Sequence, residues 1–525
     1  MKVFWFFFSK KNTLLASPPK ARAHRVRSSG NAPPMDQIAP PTIPTNPVTP
    51  EILAKLREIV GDRGLVEQDS DIRPFVTDWR GQLHGHAAVV VRPANTEEVS
   101  KVVKLCHDHT IAIVPQGGNT GLMGGATPWP SHTGIVLSLG RMNRVIAVDA
   151  KGYTMTVEAG CVLQTLQGVA AEHDRLLPLS LGAQGSCMIG GNLSTNAGGA
   201  QVLHYGNTRS FVLGLEVVLP NGDVWNRLRA LKKDNTGYDL KHLFIGAEGT
   251  LGIITKAVIK VWPRPKDVAT AWLAVPSVQA AVDLLSESHA PSGDNVTSFE
   301  IMHRLGLDGV FKYVPNTQDP LPGIRASPWY ILTEWSSTRP KAEGAEGMAE
   351  RMEIFLTDAL ERGLIDDAVI AQSESQARGM WHIREGHAEA SRSEGPAISY
   401  DMSVATSKIP AFVDAGNEAA RAVLPGIRLS PVGHIGDGNL HYGFKAPEGM
   451  SKETFAQYKP AITRAINDLI RDFAGSISAE HGIGQEKLDE LAHYSSPVEL
   501  ASMKAVKAAL DPKNIMNPGK ILRMS

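Results

Sequence analysis

Apolar and polar positions alternate along the chain in rhythms that predict its helices and strands. A helical pattern at 51–60 is followed by an apolar strand at 87–91, an amphipathic helix at 96–107 and a second strand at 111–115. This order predicts a β-α-β unit near the start of the folded chain. Short strand-like segments with glycine-rich turns then continue as far as 253–261.

The rhythm changes after Trp262-Pro263-Arg264-Pro265, which predicts a domain boundary. Longer strands and helices follow, at 271–275, 278–288, 330–335, 342–362 and 375–390. They predict an α+β fold in which helices cover one face of an antiparallel sheet. The expected division is a head over 1–49, one domain over 50–265, a second over 266–500 and a C-terminal segment over 501–525.

The head differs in composition from the rest of the chain. Residues 1–34 contain seven Lys or Arg and no acid, and residues 31–50 contain seven prolines. Such a segment cannot build a packed core, so we expect it to be disordered. Two explanations stay open: a mitochondrial presequence, or an upstream start codon with Met35 as the true start.

Overall composition excludes a wholly disordered chain, a strongly basic nucleic-acid-binding protein and a membrane-spanning protein. Hydrophobic residues make up 42% and charged residues 20%, and the formal charge is −1, so no chain-wide positive field attracts nucleic acid. A local basic patch is still compatible with this net charge. The three cysteines, Cys106, Cys161 and Cys187, form no C-x-x-C pair, which indicates a reducing compartment. No apolar run approaches the roughly 18 residues needed to span a bilayer.

Three glycine clusters indicate a large phosphate-bearing ligand. They lie at 115–125, 185–199 and 246–252, and the first follows a predicted strand. Glycine lets successive backbone N–H groups turn toward phosphate oxygens, although each loop alone could be a structural turn. Three such loops in one domain favour ligand binding.

A second candidate site lies between His434 and His441. Asp437-Gly438 between apolar flanks predicts a two-residue hairpin turn, which makes His434 and His441 direct cross-strand neighbours with Cβ atoms roughly 4.5–5.5 Å apart. Asn439 then shares their face, and Ile435 and Leu440 face the core. Two imidazoles at that separation can share a divalent metal ion, although a pair of surface histidines is the alternative.

Glu480-His481 offers a third ligand and a base. The pair follows a helix that ends near Phe473 and a short segment at 476–479, and glycines follow it. A carboxylate beside a histidine could complete an open metal site, whereas solvated charges at the end of an element are the simpler alternative.

These motifs carry a family resemblance. The glycine clusters, with Tyr205-Gly206-Asn207-Thr208-Arg209, resemble the FAD domain of the vanillyl-alcohol oxidase/p-cresol methylhydroxylase flavoproteins. Segments 434–441, 478–484 and 511–520 are similar to those of FAD-linked D-2-hydroxyacid dehydrogenases, the D-lactate, glycolate and D-2-hydroxyglutarate dehydrogenase group. The resemblance makes 50–265 a two-part FAD-binding domain, 266–500 a substrate and metal-binding domain, and 501–525 a segment that returns to the flavin.

The resemblance also implies site residues. It makes His481 the catalytic base, His434, His441 and Glu480 the metal ligands, and Arg384 and Asn439 substrate contacts. Zn²⁺ is the expected ion, with Mn²⁺ or Fe²⁺ as alternatives. The implied FAD contacts are Pro115, Gln116, Gly117, Gly118, Asn119, Thr120, Gly121, Gly185, Ser186, Gly190, Gly191, Asn192, Thr195, Asn196, Gly198, Gly199, Glu248, Gly249, Gly252, Ile254 and Asn517.

Departures from the family pattern change two expectations. Asn119 stands where members that tether flavin have histidine, so we expect non-covalent FAD, with Cys187 as a buried structural residue. Ser399 stands where relatives commonly have lysine, and Ala388 where hydroxyglutarate-type members can have threonine. With Ser399 lining the substrate site, we expect a D-lactate-like or bulkier substrate to be preferred over D-2-hydroxyglutarate.

The resemblance predicts oxidation of a D-2-hydroxyacid to the 2-oxoacid with hydride transfer to FAD. Direct oxidase activity, a flavin-binding electron-transfer subunit without substrate turnover, and a flavin-free metallohydrolase are the alternatives. The expected electron acceptor is a quinone, a cytochrome or an electron-transfer flavoprotein, and a homodimer is compatible with the sequence. We expect a cytoplasmic or inner-membrane-associated protein in a bacterium, and a mitochondrial one if the head is a presequence.

Overall fold

The computed structural model describes residues 45–323 and 327–524. Residues 40–525 form one compact unit. The expectations for residues 1–34 and Met35 lie outside the described residues. Within the described part of the chain, no helix is both long and apolar enough to cross a membrane.

The first half of the chain alternates short strands with helices. Its strands are β1 Leu65–Val66, β2 Val89–Val91, β3 Ile113–Gln116, β4 Ile135–Ser138, β5 Val145–Asp149, β6 Thr154–Glu158, β7 Arg175–Leu176, β8 Val212–Val218, β9 Val224–Arg227, β10 Ile253–Lys260 and β11 Trp262–Pro263. Its helices are α1 Pro50–Val60, α2 Asp69–Val76, α3 Thr96–His109, α4 Leu163–Glu172, α5 Ile189–Thr195, α6 Val202–Tyr205, α7 Thr208–Phe211 and α8 Lys241–Phe244.

The second half has longer elements. Its strands are β12 Asp267–Val275, β13 Val296–His303, β14 Trp329–Ser337, β15 Asp367–Ile370, β16 Ala397–Ser403, β17 Arg428–Leu429, β18 Val432–His434 and β19 Asn439–Lys445. Its helices are α9 Val278–Ser292, α10 Arg304–Tyr313, α11 Met348–Glu361, α12 Glu374–Glu385, α13 His387–Ser393, α14 Ile409–Val423, α15 Lys452–Asp472, α16 Leu488–Tyr494 and α17 Pro497–Leu510.

Two sheets organise the first half. In a four-stranded sheet, β2 and β3 both run parallel to β4, so the predicted β-α-β unit through α3 is confirmed. A five-stranded antiparallel sheet has the order β5-β6-β10-β8-β9. One apolar core packs residues of both sheets together, from Val89 and Ile113 to Val217 and Ile254.

A single antiparallel sheet organises the second half and has two different faces. Its strand order is β15-β12-β14-β13-β18-β19-β16, and β17 pairs with β19. One face packs against α9, α11, α14 and α15. The opposite face packs against α10, α12 and α13 over β12 to β14 and carries polar side chains over β18, β19 and β16. The predicted α+β architecture is confirmed, but helices pack on both faces of the sheet and not on one as expected, because β12 to β14 carry apolar side chains on both faces.

Two predicted helices have different bounds. The helix expected at 342–362 begins only at Met348, where the backbone N–H of Gly347 donates to the Glu350 carboxylate and that of Met348 donates to Asp267 Oδ2. The helix expected at 375–390 is two helices, α12 and α13, that meet at Gly386. A Cβ at Gly386 would lie 3.2 Å from Val310 Cγ1, so the break brings the backbone close to α10.

Candidate active site

His434 and His441 lie on one face of the sheet, but the predicted pairing between them is wrong. Residues Ile435–Asp437 form a 3₁₀ turn, and Val432, not His434, is opposite His441. The turn inserts residues that a two-residue hairpin lacks. His434 is two residues from Val432 on the same strand, so it lies on the same face as Val432 and its partner His441. The ring centroids of His434 and His441 are 5.8 Å apart. Ile435 and Leu440 lie in the core as predicted.

Glu300 fixes the orientation of His434. This carboxylate is fully buried on β13 directly opposite His434, and its Oε1 lies 2.6 Å from His434 Nδ1. Its Oε2 accepts a hydrogen bond of 2.7 Å from Arg384 Nε on α12. A buried carboxylate needs such partners, and the contact at Nδ1 leaves His434 Nε2 directed at the site.

Asp401 holds the loop that carries Glu480 and His481. Its Oδ2 accepts hydrogen bonds from the backbone N–H groups of Glu480 and His481, at 3.0 and 2.9 Å. Its Oδ1 accepts one of 3.1 Å from Asn439 Nδ2. Asp401 is opposite His441 in the β16–β19 register, so strand pairing brings the loop to the histidines.

The side chains at this point can hold a metal ion. Glu480 Oε1 lies 3.5 Å from His441 Nε2, 3.9 Å from His434 Nε2 and 3.8 Å from His481 Nε2. Ligands of a tetrahedral zinc ion stand roughly 3.3–3.6 Å apart, which suits His441 Nε2 and Glu480 Oε1, whereas His434 Nε2 lies farther from Glu480. Among the described residues, the group whose ligand atoms all lie within 4.8 Å of one another is Asp401, His441, Glu480 and His481, which contains the predicted base and not His434.

The two histidines predicted as metal ligands have pKa values shifted in opposite directions. Burial, reinforced by His481 and His434, lowers the pKa of His441 well below its usual value. Burial also acts to lower the pKa of His434, but Glu300 outweighs it and raises this pKa to about 9. A metal ion must bind neutral imidazole, so binding at this site would release a proton from His434.

The glycine clusters meet in the first half of the chain. A Cβ at Gly118 would lie 2.2 Å from Ser186 O, and one at Gly117 would lie 3.5 Å from Gly191 N. The approach at Gly118 requires glycine, whereas a Cβ at Gly117 would make an ordinary contact, and the two together bring the loop after β3 against the start of α5 as one cradle. Among the described residues, the buried Asn192 Oδ1 has no hydrogen-bond partner. This cradle and its free acceptor fit a dinucleotide cofactor.

Glu248 has a contact that the sequence did not reveal. Its carboxylate accepts hydrogen bonds from the N–H groups of Ile483 and Gly484, at 2.8 and 2.7 Å. Its backbone oxygen accepts one of 2.7 Å from Asn517 Nδ2. The residue therefore ties the third glycine cluster to the loop of His481 and to the C-terminal segment.

Several other predicted cofactor residues lie within or beside these clusters. Asn119 Nδ2 donates to Pro74 O and Thr77 O, so its amide nitrogen is engaged by backbone. Ile254 is buried in the core opposite Val217. Cys187 is buried with its thiol free, and burial raises the pKa of that thiol. The other predicted FAD contacts lie within the three glycine clusters and stay predictions: Pro115, Gln116, Thr120, Gly121, Gly185, Ser186, Gly190, Thr195, Asn196, Gly198, Gly199, Gly249 and Gly252.

Two of the predicted substrate residues, Ser399 and Asn439, lie on the sheet face that carries His441, and the third, Arg384, contacts this face from α12 through Glu300. Ser399 is exposed two residues before Asp401 and opposite Gly443. Arg384 uses its Nε for Glu300. Asn439 is buried, and its Nδ2 donates to Asp401 and to Met402 O. Their contacts with substrate stay predictions.

Sequence reasoning missed Glu300 and the role of Asp401. An acid within the apolar run Phe299 to Met302 was the available signal for Glu300, because a charge on a buried strand needs partners. Alternation along β16 could have placed Asp401 on the face of Ser399. Neither signal identifies the partner.

Comparisons with known proteins agree with this geometry. A family model described as FAD binding domain matches residues 87–226, and one described as FAD linked oxidases, C-terminal domain, matches residues 264–521. D-2-hydroxyglutarate dehydrogenase from Danio rerio is 38% identical over 95% of this chain and 90% of its own length. The mitochondrial enzyme of that name from Arabidopsis thaliana is 37% identical over 89% and 80%.

The chain belongs to the FAD-linked D-2-hydroxyacid dehydrogenases. A bacterial relative, D-2-hydroxyglutarate dehydrogenase from Xanthomonas citri pv. viticola, is 36% identical over 90% of this dehydrogenase and 97% of its own length. The resemblance, the oxidoreductase class and FAD as cofactor are confirmed. The flavin-free metallohydrolase alternative disagrees with these matches.

Solved structures confirm the fold of the dehydrogenase. Substrate-bound p-cresol methylhydroxylase superposes with a TM-score of 0.69 at 16% identity, covering 89% of this chain and 96% of that one. Alkyldihydroxyacetonephosphate synthase gives 0.67 at 21% identity, covering 91% and 88%. At these identities the likeness concerns the fold alone.

Proposed function

We propose that the dehydrogenase oxidises a D-2-hydroxyacid at the cluster of His434, His441, Glu480 and His481, with metal-assisted loss of the hydroxyl proton. The observation that carries this proposal is the convergence of Glu480 Oε1 on three imidazole nitrogens within 3.9 Å. His434, His441 and Glu480 would hold a divalent ion, with zinc the expected one. When bound, FAD supplies the hydride acceptor and the ion supplies positive charge beside the hydroxyl oxygen.

The residues of the chain then divide the work. His481 takes the hydroxyl proton as general base. Asp401 holds His481 in place, because Asp401 Oδ2 accepts a hydrogen bond from the backbone N–H of His481 and lies 3.5 Å from His481 Nδ1. Arg384 binds the substrate carboxylate with its terminal nitrogens while its Nε stays on Glu300. The same arginine would therefore join substrate and ligand His434 through one buried carboxylate.

The far end of the substrate is proposed to be uncharged. Ser399 and Gly443 are opposite each other on the substrate face, and neither offers a cation. Lys445 lies on the same face, but it is buried and paired with Glu394. A second substrate carboxylate would be desolvated without a full partner, which disfavours it. A D-lactate-like or bulkier acid therefore suits the site.

D-2-hydroxyglutarate is the second candidate substrate. Relatives 36–39% identical over most of their length are named for it. Arg384 together with a rearranged Lys445 would then have to bind both carboxylates. Direct transfer of electrons to oxygen, as in an oxidase, is a further proposal for this chain. So is a mitochondrial location, which the names of the eukaryotic relatives state for those proteins.

Anaerobic reduction of the bound flavin tests the proposal. Wild type is mixed with D- and L-forms of lactate, 2-hydroxyglutarate and longer 2-hydroxyacids, and loss of flavin absorbance is followed. D-acids should bleach the flavin, while His481→Ala should stay yellow with every acid. The control is His289→Ala, which removes a half-buried histidine of α9 that pairs with Asp294 outside the cluster. Normal bleaching of the His481 variant would contradict its role as base.

Metal removal tests the other half. Dialysis against a chelator should abolish reduction by D-acids while FAD stays bound, and added Zn²⁺ should restore it. Full activity in protein shown to be metal-free would overturn the metal-assisted mechanism and leave the flavin chemistry untouched.

A further inference from the structure

A loop on the FAD-binding half has no counterpart in the proposed chemistry. Residues 229–240, between β9 and α8, are twelve consecutive exposed residues. Their side chains border a cavity of about 740 Å³ whose charged lining is mainly basic. The cations are Arg209, Arg227, Lys232, Lys233, Lys241 and Lys260. We call this surface the 229–240 face.

The acids at the 229–240 face are already paired. Asp234 accepts from Arg227 and Arg229, and Asp239 lies beside Lys241 and His242. Within the described ranges, no carboxylate lies within 4.0 Å of Lys232, Lys233 or Lys260. The face therefore keeps an excess of positive charge on a chain whose formal charge is −1, which favours an anionic partner.

Exposed apolar groups accompany these cations. Tyr238 is 94% exposed and Leu231 51% exposed, and Leu240 and Leu243 are exposed nearby. Tyrosine is enriched at the centre of protein interfaces, whereas lysines are typical of their polar rim. A small anion would leave these side chains in water, so the combination favours a macromolecule.

Arg209 connects the 229–240 face to the cofactor cradle. Its guanidinium donates to Ile245 O and His242 O, next to Gly246 of the third glycine cluster. Its backbone N–H donates to Asn196 Oδ1 in the second cluster. A partner on this face would sit against the loops that surround the proposed FAD site.

We propose that the 229–240 face docks an acidic electron-carrier protein that reoxidises the flavin. The inference rests on the proposed function, because substrate oxidation leaves two electrons on the cofactor. Two molecules of a one-electron carrier each take one electron, and the proton on flavin N5 is released to water, which restores oxidised FAD. The positive charge guides the encounter, and Tyr238 and Leu231 are buried in the complex.

Charge reversal with an acidic redox protein tests this proposal. Cytochrome b5, an acidic one-electron carrier whose potential lies above that of a 2-hydroxyacid, serves as the acidic carrier. Basic cytochrome c serves as its opposite, and a small dye serves as an acceptor that needs no docking. In Lys232→Glu/Lys233→Glu holoenzyme, the rate of cytochrome b5 reduction should fall by about tenfold or more and lose its salt dependence. The affinity of cytochrome b5 for the oxidised holoenzyme, measured directly by calorimetry, should fall in parallel.

The controls separate this proposal from the function on which it rests. Lys452→Glu/Lys504→Glu makes the same charge change at exposed lysines of α15 and α17 and should leave cytochrome b5 reduction unchanged. Anaerobic flavin reduction by substrate and dye turnover should stay at wild-type rates in both double variants. If wild type shows neither reaction, the proposed function fails and not the docking face. Unchanged cytochrome b5 affinity and rate in Lys232→Glu/Lys233→Glu would overturn the docking face. Loss of binding to phosphatidylserine vesicles with unchanged cytochrome b5 reduction would also overturn it and would assign the face to a membrane.

Discussion

At the scale of single residues, Glu300 determines how His434 is presented to the metal site. A carboxylate behind a ligand histidine fixes the tautomer and the orientation of the ring. Glu300→Gln keeps the shape but cannot accept from both His434 and Arg384. We expect zinc affinity to fall roughly 10- to 100-fold, with FAD retained. Competition with a chromogenic chelator measures this affinity.

Glu334 provides the matched control. It lies on the same sheet face, on the neighbouring strand β14, and bonds Trp381 Nε1 instead of a histidine. Glu334→Gln should leave zinc affinity unchanged. Equal losses in the two variants would mean that Glu300 acts only on the general stability of the sheet.

The proposed substrate preference rests on Ser399. Because it is exposed on the substrate face, a lysine there can extend without displacing core residues. Ser399→Lys should raise kcat/KM for D-2-hydroxyglutarate relative to D-lactate by about tenfold or more, as expected for a charge-assisted contact of roughly 1.5–3 kcal/mol. A wild type that already strongly prefers the dicarboxylate would show that another cation serves it.

At the scale of elements, the turn between β18 and β19 depends on Gly438. This residue has φ of 85°, and a Cβ there would lie 2.2 Å from Val404 O. Gly438→Ala should therefore lower the free energy of unfolding by of order 1–3 kcal/mol more than Gly449→Ala, which has φ of 75° and open space around it. Urea denaturation of both variants measures the difference, and equal losses would mean that the turn relaxes away from Val404.

At the scale of the whole molecule, the C-terminal segment is anchored by a buried lysine. Lys520 Nζ donates to Gly124 O and Thr127 O beside the first glycine cluster. Burial, partly offset by Glu248, lowers the pKa of Lys520 to about 7. The unfolded chain keeps its usual higher pKa and binds more protons, so the free energy of unfolding should rise as pH increases from 7 toward 10.

Lys520→Met tests this dependence. The variant removes the titrating group, so its free energy of unfolding should rise less steeply between pH 7 and 10 than that of wild type. Chemical denaturation of the FAD-free proteins across this range gives both slopes. Parallel slopes would show that Lys520 stays charged in the folded protein.

Local pattern was enough to predict the main elements and a phosphate-bearing ligand. Apolar periodicity and caps are properties of neighbouring residues, so α1, α3, β10 and α9 lie close to their predicted bounds. Glycine spacing is local too, which is why a cradle for phosphate could be predicted, and the family resemblance then implied FAD. His434, His441, Glu480 and His481 could be proposed as one site because short motifs and a family resemblance carry them.

The tertiary structure decided how these motifs join. The 3₁₀ turn at Ile435–Asp437 sets a register that the Asp-Gly pair did not reveal, because its geometry depends on contact with Val404. Glu300 meets His434 from 134 positions away, and Glu248 reaches Ile483 from 235. The sequence by itself determined which chemical groups the protein carries. Only long-range packing decided their partners, because a buried carboxylate takes whichever donors the fold brings to it.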